Sequence, residues 1–140
     1  MSSEKKNVLV YRSSLLPPSE TFIQKQVSSN SGFNCTLVGE FLLADGLDLS
    51  KARVILLGLG GIRFRNLAKV LGIILGFRPF AFRKIKAVNP DLIHVHFATD
   101  AVDFWPVAKR FNIPYLVTLH GYDIQSHKSW WESGKGGLLR

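Results

Sequence analysis

A strand, helix, strand unit in the C-terminal third of the chain constrains the fold more than any other feature. Leu92–Phe97 is an apolar, β-branched run with the length of a fully buried strand. Thr99 and Asp100 are typical of a helix start, and the predicted helix runs to about Phe111. Ile113–Leu119 is the next strand, and the connection is long enough for a right-handed crossover between parallel strands.

The preceding residues continue the same alternation of strands and helices. Asn7–Arg12 is a predicted strand, a helix from Ser19 to about Ser29 follows, and Phe33–Val38 and Ala52–Leu57 are further strands. Alternation of this kind predicts the α/β class, with a Rossmann-like doubly wound parallel sheet in one domain over residues 1–140. The strand order stays open, and ligands are expected at the loops that follow the strands.

The composition excludes several classes of protein. With 46% apolar and 20% charged residues, the chain has the composition of a globular domain with one core. Cys35 is the only cysteine, so a disulfide framework is not expected. The run Val8–Tyr11 is too short for a signal-peptide core, and Val70–Phe77 is too short to span a bilayer. These features favour a cytoplasmic location.

The charge is concentrated in one apolar segment, Ile62–Val88, which we predict to be helical and broken near Pro79. The net charge of +8 favours anionic partners, and this segment contains no acidic residue. One alternative is that it docks on an anionic membrane surface. The simpler alternative is that it forms core helices with a solvated basic rim. Its candidate membrane-facing residues are Arg63, Arg65, Lys69, Arg78, Arg83 and Lys84. Nucleic acid is not expected as a partner, because no known nucleic-acid-binding motif accompanies the charge.

The first candidate site is the predicted helix start at Ser19, Glu20 and Thr21. We expect Ser19 to be the N-cap and Glu20 to lie in the first turn, where a negative charge favours the helix dipole. Free N–H groups at such a turn suit a phosphate or a sugar hydroxyl. An ordinary helix cap explains the same residues almost as well.

Two further candidate sites follow the last two strands. His94 and His96 share a face of their strand, and His96 is nearer to the end where ligands bind. A metal site is not expected, because no third ligand is evident. His120 is the strongest single candidate, since Gly121 allows a sharp turn after it. Asp123 could bind a hydroxyl group or could cap the local backbone.

A glycine-rich loop offers a weaker signal for nucleotide binding. Gly58, Gly60 and Gly61 resemble the start of a dinucleotide-binding pattern, but Arg63 occupies the position of its third glycine. No P-loop lysine follows either. We therefore interpret this segment as a turn, which weakens the hypothesis of a nicotinamide-dependent oxidoreductase.

Two motifs carry a resemblance to a known family. The segment PDLIHVHFATDAVDFWPVAKRFNIPYLVTLHGYD, from Pro90 to Asp123, resembles the N-terminal domain of the retaining GT-B glycosyltransferases of family 4. The motif PSETFI, from Pro18 to Ile23, is similar to the start of members that assemble bacterial exopolysaccharides such as colanic acid. The loop after the first strand lacks the Gly-Gly pair that many relatives have.

This resemblance implies an enzyme that transfers a sugar from a nucleotide-sugar to a saccharide or lipid-linked acceptor during cell-surface polysaccharide biosynthesis. It implies no metal or other cofactor, and a donor bound mainly by a second Rossmann-like domain. The chain would then be an incomplete GT-B fold, the acceptor-side domain, inactive alone and peripheral at the cytoplasmic membrane face. The resemblance places His120 beside the transferred sugar and Glu20, Thr21 and His96 on the acceptor side. The alternative is a non-catalytic basic module that binds an anionic membrane.

Overall fold

The computed structural model describes residues 4–58 and 79–125. The strands are β1 (Asn7–Tyr11), β2 (Ser14–Leu15), β3 (Asn34–Gly39), β4 (Phe41–Leu42), β5 (Arg53–Leu56), β6 (Leu92–His96) and β7 (Tyr115–Thr118). The helices are α1 (Thr21–Ser29), α2 (Pro79–Val88), α3 (Ala98–Phe111) and α4 (Tyr122–Gln125), and a 3₁₀ turn, Pro18–Glu20, precedes α1.

Five of these strands form one parallel sheet in the order β5-β3-β1-β6-β7. β1 therefore lies at the centre, with β3 on one side and β6 on the other. Strands β6 and β7 pair in parallel, with Ile93 opposite Tyr115 and His96 opposite Thr118. The predicted parallel sheet and its crossover are confirmed, and the structure supplies the strand order that the sequence left open.

Both faces of the central strand are buried, as expected for a doubly wound sheet. Leu9 and Tyr11 face the core that includes Phe104 of α3, and the rings of Tyr11 and Phe104 are stacked with centroids 3.9 Å apart. Val8 and Val10 face the opposite core, where Ile23 and other residues of α1 pack. Complete burial of each large apolar side chain stabilises the fold by roughly 1.5–3 kcal/mol.

The predicted start of α1 is wrong by one residue. Ser19 lies within the 3₁₀ turn, α1 begins at Thr21, and Glu20 occupies the N-cap position without a side-chain capping bond. Pro18 at the first position of the 3₁₀ turn fits its fixed φ and missing N–H. The helix ends at Ser29 as predicted.

A short parallel pair, β2 with β4, was not predicted from the sequence, which indicated only a loop from Ser13 to Pro18. The pair brings Leu15 and Leu16 into the core. Gly39 permits this packing, because a Cβ atom there would overlap the side chain of Leu15 and lie 2.8 Å from the backbone oxygen of Arg12.

The basic segment is described only in part. Its predicted first helix, with Arg63, Arg65, Lys69 and Arg78, lies outside the described residues, as do Gly60 and Gly61. The predicted second helix corresponds to α2, which is described over Pro79–Val88. The predicted break near Pro79 lies at the edge of the described residues and stays a prediction. Arg83 and Lys84 are exposed, and Lys84 donates a hydrogen bond to the backbone oxygen of Leu56. Across residues 4–58 and 79–125, no helix has the length and apolarity needed to cross a membrane.

Candidate functional site

The carboxyl ends of β1, β6 and β7 meet the 3₁₀ turn at one rim of the sheet, where they enclose a crevice of about 490 Å³. Ligands of open parallel α/β sheets bind at this rim. The residues that line the crevice are Arg12, Ser19, Glu20, Phe22, Phe97, Thr99, His120 and Asp123. Four of them belong to the set predicted from the sequence: Ser19, Glu20, His120 and Asp123.

Arg12, at the end of β1, joins two other segments of the crevice. Its Nε lies 3.0 Å from both carboxylate oxygens of Glu20, and its Nη2 lies 2.8 Å from Oε1. Its Nη1 donates to Oδ2 of Asp100 in α3 at 2.7 Å, and the same oxygen accepts from the backbone N–H of Ser13. The guanidinium also lies over the ring of Phe97, 4.3 Å from its centroid. One cation therefore ties together β1, the 3₁₀ turn and α3.

The charges in this network depend on one another. Burial alone would lower the pKa of Arg12, but the hydrogen bond to Glu20 and the charge of Asp100 outweigh it and raise that pKa. Glu20 and Asp100 are both buried. Without Arg12, two carboxylates would be desolvated with no opposite charge beside them.

This pairing decides what Glu20 and its neighbours can offer to a ligand. Both oxygens of Glu20 already accept hydrogen bonds from Arg12, so Glu20 shapes the crevice wall. Ser19 lines the crevice and is exposed, while Thr21 is exposed but does not line it. Binding of an acceptor by Ser19, Glu20 and Thr21 stays a prediction.

Three histidine rings lie side by side behind the crevice. His94 and His96 face the same side of β6, as predicted, with ring centroids 4.4 Å apart. Nδ1 of His94 lies 3.3 Å from the amide nitrogen of Gln26, and its Nε2 lies 2.7 Å from Oγ1 of Thr118. Nδ1 of His96 lies 3.0 Å from Nε2 of His120. His94 is thus tied to α1 and β7, whereas His96 is tied to the crevice.

Burial keeps the inner two rings neutral. Desolvation, followed by repulsion from any proton on His94 or His120 and from the cation of Arg12, lowers the pKa of His96 to about 3. Desolvation and then the charge of His120 also lower the pKa of His94. His96 is only 2% exposed, and within the described part of the chain its Nε2 has no hydrogen-bond partner. His96 therefore cannot reach a ligand directly, and its place in the site is beside His120.

His120 is the histidine that lines the crevice. Its ring contacts Phe22 and Phe97, with centroid distances of 4.7 and 4.5 Å. Phe22 is 42% exposed, so part of an aromatic side chain borders the crevice next to the imidazole. Among the described residues, Nδ1 of His120 has no hydrogen-bond partner, so this nitrogen remains for a ligand.

The turn after His120 is held by Asp123 and Gly121. Oδ1 of Asp123 accepts from the backbone N–H of His120 at 3.1 Å, and its Oδ2 accepts from that of Ala98 at 2.7 Å. This geometry favours the alternative in which Asp123 caps the local backbone. The carboxylate accepts hydrogen bonds both at the start of α3 and within its own turn. The helix accordingly begins at Ala98, one residue before the predicted Thr99. Gly121 has a φ of 73°, which suits glycine, and it does not line the crevice.

The structure also bears on metal binding and on the residues of the site that the sequence did not predict. No group of three His, Cys, Asp or Glu that could hold a metal ion occurs in the described ranges 4–58 and 79–125. Arg12, Phe22, Phe97 and Asp100 were not predicted as site residues. The one available signal was Arg12, a charged side chain that interrupts an apolar run where a central strand ends.

The chain is similar to known structures in fold. Two structures of the C-terminal domain of a hydrogenase from Pyrococcus furiosus match it. The first has a TM-score of 0.54 at 15% identity, covering 85% of this chain and 95% of that one. The second has a TM-score of 0.49 at 14% identity, covering 84% and 95%. At 15% identity, the first match shows a similar fold and nothing more. The second match, with a TM-score below 0.5, supports no conclusion.

The sequence itself identifies the family. No curated protein matches the chain. The profile of Glycosyltransferase Family 4 matches residues 30–139, most of the chain, including β6 with His96, β7, and the loop that carries His120. The chain therefore belongs to Glycosyltransferase Family 4, and its parallel α/β sheet is the Rossmann-like fold of a GT-B N-terminal domain.

Proposed function

We propose that this domain binds the acceptor in a retaining glycosyltransferase of cell-surface polysaccharide biosynthesis. The sugar comes from a nucleotide-sugar and goes to a hydroxyl of a saccharide or lipid-linked saccharide, without a resident metal or other cofactor. The observation that carries this proposal is the position of His120. Its imidazole lines the crevice at the carboxyl ends of the strands and lies between Phe22 and Phe97.

The crevice has the mixed character that a saccharide requires. A sugar ring presents hydroxyl groups at its edge and C–H groups on its faces. The partly exposed ring of Phe22 can contact the C–H face, while the hydroxyls of Ser19 and Thr99 can hydrogen-bond the edge. In this arrangement His120 hydrogen-bonds the transferred sugar and orients it while the bond to the departing diphosphate lengthens.

The charge of the crevice supports an acceptor rather than a diphosphate as its occupant. Among the described residues, Arg12 is the one Lys or Arg that lines it, and this guanidinium is already paired with Glu20 and Asp100. A guanidinium paired in this way offers little attraction to a pyrophosphate. We accordingly assign the donor to a second domain, and we expect the 140-residue chain alone to show no sugar transfer.

A titration of the ¹⁵N-labelled chain tests this assignment. We expect cellobiose or maltose at millimolar concentration to shift the amide resonances of Phe22, Thr99 and Gly121, and UDP-glucose to shift them less. His120→Ala should weaken the saccharide response. Ser28→Ala, on the same helix as Phe22 but outside the crevice, should not. Stronger binding of UDP-glucose at this crevice, or saccharide shifts confined to other residues, would overturn the proposal.

We further propose that the protein acts at the cytoplasmic face of a membrane that holds a lipid-linked acceptor. The exposed position of Arg83 on α2 supports this. Arg83→Gln should weaken co-sedimentation with phosphatidylglycerol vesicles about fivefold, because one basic residue near such a surface contributes roughly 1 kcal/mol. Lys109→Gln, an exposed basic position on α3, is the matched control. Equal effects of both variants would contradict docking through α2, and strong vesicle binding without any saccharide binding would favour the non-catalytic module.

A further inference from the structure

One hydrogen bond connects the buried histidine of β6 to the histidine of the crevice. Nδ1 of His96 and Nε2 of His120 are 3.0 Å apart, so a single hydrogen lies between them when both rings are neutral. Either His96 donates it and His120 keeps its own hydrogen on Nδ1, or His120 donates it and His96 keeps its own on Nε2. These alternatives give the crevice opposite chemistry, a donor in the first and an acceptor in the second.

The surroundings of His96 discriminate between the two alternatives. Its Nε2 is buried and has no hydrogen-bond partner among residues 4–58 and 79–125. A hydrogen on that nitrogen would be a desolvated donor with no acceptor, which is rarer in proteins than an acceptor left without a donor. A hydrogen on Nδ1, by contrast, has an acceptor 3.0 Å away in His120.

We infer that His96 is a positioning residue that donates its Nδ1 hydrogen to His120, so that His120 presents Nδ1–H to the crevice as a hydrogen-bond donor. This inference deepens the proposed function, since the ligand of that donor would be a sugar oxygen. His96 acts only through His120 and never touches the ligand.

Two further observations support this arrangement. His94 cannot replace His96, because its two nitrogens are occupied by Gln26 and Thr118. The amide of Gln26 donates to its Nδ1, which leaves the hydrogen of His94 on Nε2, directed to Thr118. In addition, the lowered pKa of His96, about 3, keeps that ring neutral near neutral pH. The ring therefore carries a single N–H group, which donates to His120.

The consequence is selectivity for what the crevice can accept. A ring fixed as a donor matches a hydroxyl, ether or carbonyl oxygen and is mismatched to an ammonium or amide N–H group. The contacts of Phe22 and Phe97 hold the plane of the same ring, so both its orientation and its hydrogen-bonding role are fixed. This fits the use of His120 to orient a sugar through its oxygen atoms.

Long-range ¹H–¹⁵N correlation spectra of the histidine rings, recorded on the 140-residue chain at pH 8, test the inference directly. We expect His96 and His120 as Nδ1–H tautomers and His94 as the Nε2–H tautomer, an internal reference within one spectrum. An Nε2–H tautomer at His120 would overturn the inference. The measurement needs neither donor nor acceptor, so it leaves the proposed function untouched if it fails. Conversely, the expected tautomers in a protein without glycosyl transfer would overturn only the function.

Variants separate positioning from a merely structural role. His96→Leu removes the hydrogen bond, and we expect His120 to lose its single tautomer and exchange between both forms. His94→Gln is the matched control on the same strand face, and it should leave the His120 spectrum unchanged. A single unchanged Nδ1–H tautomer in folded His96→Leu would contradict the role of His96. If that variant does not fold, the tautomer of His120 in the wild-type spectrum still tests the inference.

Discussion

The two rims of the sheet are both tied together by polar side chains, yet in different surroundings. At the carboxyl-end rim, Arg12 pairs with Glu20 and Asp100, and His96 is hydrogen-bonded to His120. At the amino-end rim the network consists of Lys6, Asn7, Asn34, Asn89 and Asp91. The side chains of Arg12 and Glu20 are 16% and 6% exposed, whereas those of Lys6 and Asp91 are 69% and 38% exposed.

This contrast separates function from ordinary structural stabilisation. The polar contacts at the amino-end rim are exposed. Water can therefore take the place of a partner that is lost. The carboxyl-end rim keeps charged and titratable groups out of water, where a missing partner is costly. Such an arrangement is expected where a ligand has to meet groups in fixed positions.

Arg12→Ala should give the largest effect on stability. It leaves the buried carboxylates of Glu20 and Asp100 unpaired, and we expect the free energy of unfolding to fall by about 3–5 kcal/mol. Urea denaturation of both proteins measures the change. A loss below about 1 kcal/mol would show that the two rims do not differ in the way described.

Acid should affect the carboxyl-end rim first. His96 and His94 have lowered pKa values in the folded chain, so below pH 6.5 the unfolded chain binds protons that the folded chain rejects. Stability should therefore fall as the pH drops from 6.5 towards 3, by at most about 1.4 kcal/mol per pH unit from His96, and His94 adds a loss of the same sign below pH 6.5.

The amino-end rim responds at lower pH. There the hydrogen bond from the backbone of Asn7, and then Lys6, lower the pKa of Asp91. Its contribution is present above the ordinary carboxyl pKa and is lost only as the pH falls through the lowered value. Urea midpoints from pH 8 to pH 3 measure both losses. His96→Leu should flatten the upper part of this profile, and an unchanged slope would contradict the assignment.

Asp123→Ala should have an intermediate effect. The substitution removes the acceptors for the backbone N–H groups of Ala98 and His120, and the loss of such a cap costs about 1–2 kcal/mol. Because the same carboxylate fixes the turn at His120, saccharide affinity should fall too. Thermal unfolding and the titration described above measure the two effects. A stability loss with unchanged saccharide binding would limit Asp123 to a structural role.

Lys6→Ala should have the smallest effect. The ion pair with Asp91 is 3.0 Å long but exposed, and such pairs contribute about 0–1 kcal/mol. We expect a small decrease in urea stability that 1 M salt abolishes, because salt screens exposed charges. A larger loss than in Arg12→Ala would reverse the comparison of the two rims.

The sequence predicted the fold well because its signals are local. Buried strands such as Leu92–His96 are short apolar runs, and the end of α3 at Asn112 follows from a residue that tolerates a left-handed conformation. The strand order was not predictable, because it depends on pairing between distant segments. The start of α1 was missed because Pro18 and Ser19 form a 3₁₀ turn that resembles an ordinary cap in sequence.

The site was predicted in outline but not in its connections. His120, His96 and Glu20 were chosen because they follow strands or begin a helix, and the structure brings them to one rim. The ion pairs of the site could not be inferred, because Arg12 and Asp100 are 88 residues apart in the sequence. An ion pair between residues so far apart becomes visible only once the strand order places them together.

Sugar transfer by an enzyme that joins this domain to the proposed donor-binding domain tests the central claim most directly. Release of nucleoside diphosphate in the presence of acceptor should fall about 100-fold in His120→Ala, because a hydrogen bond to the transferred sugar is lost. Lys6→Ala, at the opposite rim, should transfer sugar at the wild-type rate. Wild-type turnover in folded His120→Ala would contradict the account.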